Sequence, residues 1–137
     1  MEGRCAATRP LPIGGDFATF WRIGGARVAK LGLRGGFLQP ATGRTAADAA
    51  NNALLLAQQK DFSGAALHDL FEEQAKLLWR RRELQRSVNA GIAATPADGR
   101  RALMERLYSL DAGTILRFQT DRLGLLDRRR LQKALRG

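Results

Sequence analysis

The chain has 137 residues, 45% of them hydrophobic, enough for one packed core and too apolar for wholesale disorder. No apolar run reaches bilayer-crossing length, and the opening residues lack a signal-type segment; the lone Cys5 and single histidine exclude an internal disulfide and a Cys/His metal cluster, so the chain reads as cytoplasmic. Formal net charge is +10, with 15 basic against 8 acidic residues in 72–137 and 8 against 5 before them, a balance that favours polyanions such as nucleic acid or an anionic membrane face.

In chain order, Leu11-Pro12-Ile13 predicts a short extended piece, followed by a turn at Gly14-Gly15. Asp16 is placed to cap a brief helix, Phe17–Arg22, which Gly24-Gly25 then stops. Phe17, Phe20 and Trp21 share one side of it as core candidates. Residues 27–33 are apolar enough for a strand. That strand feeds the stretch 32–43, in which Gly32, Gly35, Gly36, Pro40 and Gly43 preclude a regular helix or strand interior. Such a path turns tightly and delivers its amides to the N-terminus of the next helix, an arrangement that attracts anions. The plain alternative is a set of ordinary turn glycines.

Thr45-Ala46-Ala47-Asp48 opens that helix in the manner of a capping box, and the alanines after it are strong helix formers. Leu54, Leu55 and Leu56 predict a helix buried on most sides. Ser63 is placed to cap the next segment. Leu67, Leu70, Phe71, Gln74, Leu78, Leu84, Val88 and Ile92 then keep a 3.6-residue period, as one long helix or two with a bend near Arg80, Arg81 and Arg82. His68 has no partner for metal or catalysis and reads as a surface or capping residue. Trp79, beside the arginines, reads as packing, with base stacking or a membrane interface as alternatives. Thr95-Pro96-Ala97-Asp98 predicts a helix start, with Thr95 as the cap. Asp111 predicts a cap for a short helix carrying Ile115, Leu116 and Phe118. Leu125–Arg136 reads as a basic amphipathic helix, facing either water or an anionic membrane. The sequence offers no Gly-x-Gly-x-x-Gly near its start, no P-loop, no Ser/His/Asp set and no evident carboxylate pair.

Taken together, these residues resemble the C-terminal portion of bacterial lycopene β-cyclases, flavin-dependent enzymes of carotenoid biosynthesis. The resemblance runs from Leu11-Pro12-Ile13, Gly15-Asp16-Phe17 and Phe20-Trp21 through Gly32-Leu33-Arg34-Gly35-Gly36-Phe37, Pro40, Thr42-Gly43 and Asp48-Ala49. It continues with Trp79-Arg80-Arg81-Arg82, Asn89, Leu103-Met104-Glu105-Arg106-Leu107-Tyr108, Ile115, Arg117-Phe118, Arg122-Leu123 and Leu126-Asp127-Arg128. Four departures stand out. The family usually has histidine where Gln39 stands and tyrosine where Arg44 stands. It has Ser-Leu-Pro where Thr45-Ala46-Ala47 stands, and aromatic residues where Leu84 and Gln85 stand.

The resemblance implies a mostly α chain with a small N-terminal β element, the helical C-terminal part of an FAD-dependent hydroxylase-like α/β fold. Residues 1–44 would be the remnant of a cofactor domain, ending in a loop that covers the flavin. Residues 45–137 would be a helical region facing substrate and membrane. It further implies a non-redox cyclisation of lycopene ψ-ends to β-rings with reduced FAD, NAD(P)H being the reductant. Gly32, Arg34, Gly35, Gly36, Pro40, Thr42 and Gly43 would contact the cofactor; no residue of this chain is expected to be catalytic.

The dinucleotide-binding region and the acidic proton donor are missing from the sequence. The chain alone is therefore expected neither to retain FAD tightly nor to cyclise lycopene, and a separate N-terminal dinucleotide-binding part is the expected partner. The resemblance also implies a location peripheral to the inner membrane. A competing reading is a basic helical module that binds nucleic acid or acidic lipid through Arg80, Arg81, Arg82, Arg128, Arg129 and Arg130. A decayed remnant without activity is the third.

Overall fold

The computed structural model of the chain describes residues 15–136, so Cys5 and the extended piece expected at Leu11-Pro12-Ile13 lie outside it. The described chain is mostly helical. Helix α1, Phe17–Arg22, begins as expected: the Asp16 carboxylate accepts hydrogen bonds from the Thr19 amide at 2.9 Å and the Thr19 hydroxyl at 2.6 Å. Gly24 and Gly25, at φ +84° and +115°, turn the chain away.

The strand expected at 27–33 does not form, and no strand exists among the described residues. A strand needs a neighbouring ladder for its amides and carbonyls. Here side chains take that place: a ring nitrogen of His68 lies 2.9 Å from the Ala26 carbonyl, and the Lys30 ammonium donates to the Trp21 carbonyl. The segment folds back onto α1 and ends in a 3₁₀ turn, Gly32–Gly35.

Helix α2, Ala46–Ala57, starts where the glycine path predicts, but the Thr45 side chain makes no capping bond. The expectation of a helix buried on most sides is also corrected. Its buried residues are Asp48 and Asn52, one turn apart, while Leu54 is 62% exposed. An arginine from elsewhere in the chain draws Asp48 inward, and that orients the whole helix.

Helix α3, Gly64–Arg81, is capped by Ser63, whose hydroxyl accepts from the Ala66 amide. Helix α4, Glu83–Ala94, follows after a single residue, Arg82, which leaves helical geometry at φ −96° and ψ 15°. The periodic segment is thus two helices with a bend inside the arginine run. Thr95 serves the end of α4 rather than the start of the next helix: its hydroxyl donates to the Gly91 carbonyl at 2.7 Å. Helix α5, Ala97–Tyr108, instead begins after Pro96 with no side-chain cap. Asp111 caps α6, Ala112–Gln119, through the Thr114 amide, as expected. Helix α7, Leu125–Arg136, matches its expected bounds and packs against α4 and α5.

Two apolar clusters hold these elements. Trp21, Phe37, Phe71 and Ala75 form the first, flanked by Phe17, Leu56, Leu67, Leu70 and Leu78. Phe37 and Phe71 meet edge to face at 6.1 Å, an arrangement aromatic rings favour. In the second, buried Val88, Leu103 and Leu131 lie on α4, α5 and α7.

His68, expected as a surface or capping residue, is only 5% exposed. Trp21 covers it, its indole nitrogen 3.4 Å from the imidazole, and Asp69 lies 2.9 Å from the other ring nitrogen. The interior of α3 takes a histidine because each ring nitrogen finds a polar partner. Trp79 is packing, as expected: it stacks on Phe20 at 4.9 Å and carries the Arg86 guanidinium 4.0 Å above its ring.

Candidate functional site

The glycine stretch folds into two small closures. In the first, Gly36 at φ +75° lets the Phe37 amide reach back to the Gly32 carbonyl, which drops the Phe37 ring into the core. In the second, the Gln39 amide donates to the Arg44 carbonyl at 2.9 Å and the Gly43 amide returns to the Gln39 carbonyl at 2.8 Å. Gly43 sits at φ +69°, a conformation that favours glycine.

The structure divides the expected cofactor residues between two tasks. Gly35 and Gly36 serve packing: a Cβ on Gly35 would come within 2.6 Å of the Phe37 ring and 2.8 Å of the Lys30 carbonyl, and one on Gly36 would meet Phe20 at 3.1 Å. Pro40 and Thr42 anchor the loop, through the Asn89 side chain on the Pro40 carbonyl and the Gln39 side chain on the Thr42 amide. Gly32, Arg34 and Gly43 are exposed. A Cβ on Gly32 or Gly43 would meet nothing within 4 Å. Beside Gly43 the amides of Ala46, Ala47 and Asp48 open α2 and find no acceptor among the described residues. Uncapped first-turn amides beside an accessible glycine can accept an anion.

Beneath the loop lies a polar clamp that sequence reasoning missed. Arg82, at the α3–α4 bend, is 6% exposed. Its guanidinium grips Asp48 through both terminal nitrogens, at 2.7 and 2.9 Å, donates to the Leu38 carbonyl at 2.8 Å, and reaches Asp121 at 2.7 Å. Burial by itself would depress the Arg82 pKa; the bonds and charges of Asp48 and Asp121 outweigh it and hold the pKa above the ordinary arginine value. Gln85 extends the clamp, donating to Asp121 at 2.9 Å, and Gln39 donates to the Phe118 carbonyl at 3.0 Å. Asp121 adopts φ +59°, in the left-handed region, and in that position faces both Arg82 and Gln85. The loop, α2, the α3–α4 bend and the segment after α6 are therefore one connected unit.

One signal for this clamp exists in the sequence. Arg82 and Gln85 fall on the same helical stripe as Phe71, Ala75, Leu78 and Val88, so a cation and an amide interrupt an otherwise apolar row. As the last of three consecutive arginines, Arg82 is instead easily taken for a solvated charge. Its burial also removes it from any polyanion-binding surface.

A second clamp fixes α7. The Asp127 carboxylate receives Arg117 at 2.7 and 2.8 Å, the Thr114 hydroxyl at 3.0 Å and the Gly124 amide at 3.0 Å. The Arg117 bond and the Gly124 amide hold its pKa well below the usual carboxylate range. Between the clamps, a groove lined by Val88, Ile92, Met104, Leu107, Ile115 and Phe118 opens beside Ala41, next to the loop. This lining suits an apolar ligand more than a charged one. No helix among the described residues is long and apolar enough to cross a membrane.

Comparison with known proteins gives one consistent match. The profile of the family described as Lycopene cyclase protein matches residues 8–135. A lycopene beta-cyclase of Pantoea ananas is 32% identical over 123 residues, one of Pseudescherichia vulneris 29% over 123, and one of a Paracoccus species 32% over 124. Each match covers 89% of this chain and 32% of the relative, so the chain spans about a third of the length of the curated relatives it matches. No solved structure matches the chain. With a family profile that runs almost from end to end and three relatives bearing one name, the chain belongs to the lycopene cyclase family.

Proposed function

We propose that this chain supplies the helical part of a lycopene β-cyclase and acts only together with a dinucleotide-binding part. The observation that carries the reading is the family match over residues 8–135, joined to a glycine path in which Gly32 and Gly43 are exposed, Gly43 just ahead of the uncapped start of α2. In this reading the whole enzyme has an FAD-dependent hydroxylase-like fold. Residues 1–44 belong to its cofactor side and residues 45–137 to its substrate side.

The residues present fit an anionic, flat cofactor at one edge. Gly32 and Gly43 have no side chain to hold a ligand's plane away, and the amides of Ala46 and Ala47 suit a phosphate oxygen, with Arg34 and Arg44 exposed on the same loop. Gly35, Gly36, Pro40 and Thr42 contribute by fixing the path rather than by direct reach. When bound, reduced FAD, maintained by NAD(P)H, supplies an electron-rich surface that favours the cationic transition state of an acid-initiated ring closure. This chain's own share is to position and to exclude water. The apolar groove beside Ala41 takes an end of the lycopene hydrocarbon.

The protonating acid belongs to the other part. Asp48 and Asp127 are each engaged on both oxygens by an arginine, and Asp121 is held by Arg82 and Gln85, so none of the three presents a free carboxyl to substrate. Titrating the purified chain with FAD tests the division of labour. Weak binding with an unshifted flavin spectrum is expected; submicromolar binding with an altered spectrum would refute it.

A further inference from the structure

The buried polar and charged side chains of the described residues bond to a neighbour, with one exception. Lys30, Gln39, Arg82, Gln85 and Asp127 show the rule. Asn52, on the inner side of α2, is only 7% exposed, yet its carboxamide makes no hydrogen bond among the described residues. A folded chain gains nothing from such a group unless something outside it supplies the partner. Neither polar atom of that carboxamide is sealed off, since Gln85 Oε1 alone among the described residues is both sealed and unbonded. Asn52 lies instead in a solvent-open cleft between α2 and α3. Asp48, the other buried residue of the lining, is taken up by Arg82. Gln74 is half-buried there, and Arg81 is exposed at the rim. Arg81 donates from one nitrogen to the Asp121 carbonyl and makes no other side-chain bond among the described residues.

We propose that this cleft binds a uracil nucleotide, with Asn52 and Gln74 on the imide edge of the ring and Arg81 on the phosphate. A carboxamide presents two N–H donors beside one acceptor oxygen. An N–H flanked by two carbonyls, as in uracil, is its complement. The Asn52 oxygen takes the ring N–H, and the amide groups of Asn52 and Gln74 donate to the two carbonyls. Leu55 from α2 and Leu78 from α3 line the same cleft and supply apolar walls for the ring faces. Adenine offers a carboxamide one donor–acceptor pair on an edge and so uses less of the site. A pure hydrocarbon would leave Asn52 unpaired. The order of burial agrees, since the neutral amide lies deep and the guanidinium lies outermost, where a phosphate keeps contact with water. This inference does not rest on the cyclase reading, and a failed FAD or cyclisation experiment leaves it standing.

Calorimetric titration of the full chain with uridine monophosphate (UMP) tests it. Saturable binding of UMP is expected, with uridine weaker by about tenfold for want of the phosphate. Arg81→Gln should bring UMP down to the level of uridine. Asn52→Leu should weaken UMP by about tenfold or more. Its melting temperature should match or exceed the parent's, because the carboxamide bonds to nothing among the described residues. A merely structural Asn52 predicts the reverse, a lowered melting temperature with UMP binding unchanged. If Asn52→Leu fails to fold, the exposed Arg81→Gln change decides, and UMP binding unaffected by it overturns the proposal. The proposal also falls if UMP does not bind at millimolar concentration, if Asn52→Leu binds it as the parent does, or if AMP binds as tightly. FMN carries the same imide edge and a phosphate. FMN binding more tightly than UMP, and lost in Asn52→Leu, would assign the cleft to a flavin and overturn the proposal as well.

Discussion

Arg82 and Asp48, 34 residues apart in sequence, meet in a doubly bonded pair at 2.7 and 2.9 Å with both side chains almost wholly buried. This contact joins the start of α2 to the α3–α4 bend and, through the Leu38 carbonyl, to the glycine loop. Its role is positional. If the loop and the first amides of α2 hold a cofactor edge, the Arg82–Asp48 pair sets the distance between them.

Breaking the pair from either side should therefore be costly. Asp48→Asn or Arg82→Met is expected to lower stability by about 3–5 kcal/mol, because a buried charge loses its partner. The urea midpoint measures it. Arg82→Lys should rescue little, since an ammonium cannot reproduce the fork that reaches Asp48, Asp121 and the Leu38 carbonyl together. An unchanged midpoint in Asp48→Asn would contradict the buried clamp.

Two loop glycines should respond differently to alanine. Gly35→Ala forces a methyl against the Phe37 ring and the Lys30 backbone, so a loss of about 1–3 kcal/mol is expected from overpacking. Near-ultraviolet circular dichroism should change with it, because Phe37 must move within the aromatic core. Gly43→Ala meets no neighbour and strains only the backbone at φ +69°, a cost of about 1–2 kcal/mol with an unaltered aromatic spectrum. Identical spectra for the two variants would argue against the packing role given to Gly35.

Acid should unfasten α7. The folded-state pKa of Asp127 is lowered, first by Arg117 and then by the Gly124 amide. Its contribution is thus fully present above the unfolded value of about 4 and lost as pH falls further through the depressed folded value. Melting temperature should drop on acidification below about pH 4, and Asp127→Asn should flatten that limb while lowering stability at neutral pH. An acid limb identical in parent and variant would contradict the Arg117–Asp127 clamp.

What the sequence reveals of this fold follows how local each determinant is. Asp16, Ser63 and Asp111 act on amides three residues away, so their helices are legible at the right places. The glycine path and the helix after it are legible for the same reason, since positive φ and a helix start are decided within a few residues. The strand expected at 27–33, the surface or capping position expected for His68 and the buried position expected for Leu54 each depended on a distant partner. Trp21 and Ala26 enclose His68 from α1 and the segment after it, and Arg82 turns α2 so that Asp48 faces inward and Leu54 outward. Of the candidate site, its open rim could be read from glycine spacing. The clamp beneath it could not, because a buried ion pair looks in sequence like two surface charges.

The proposed role is that of one working part of a lycopene cyclase. It is tested most directly in lycopene-accumulating cells that express the chain with the part of the Pantoea ananas relative that it does not match, and with each part alone. β-Ring carotenoid is expected only when both parts are present, with less of it for Gly43→Val than for the parent chain. β-Rings from the chain alone, or none from two parts that fold and copurify, would contradict it.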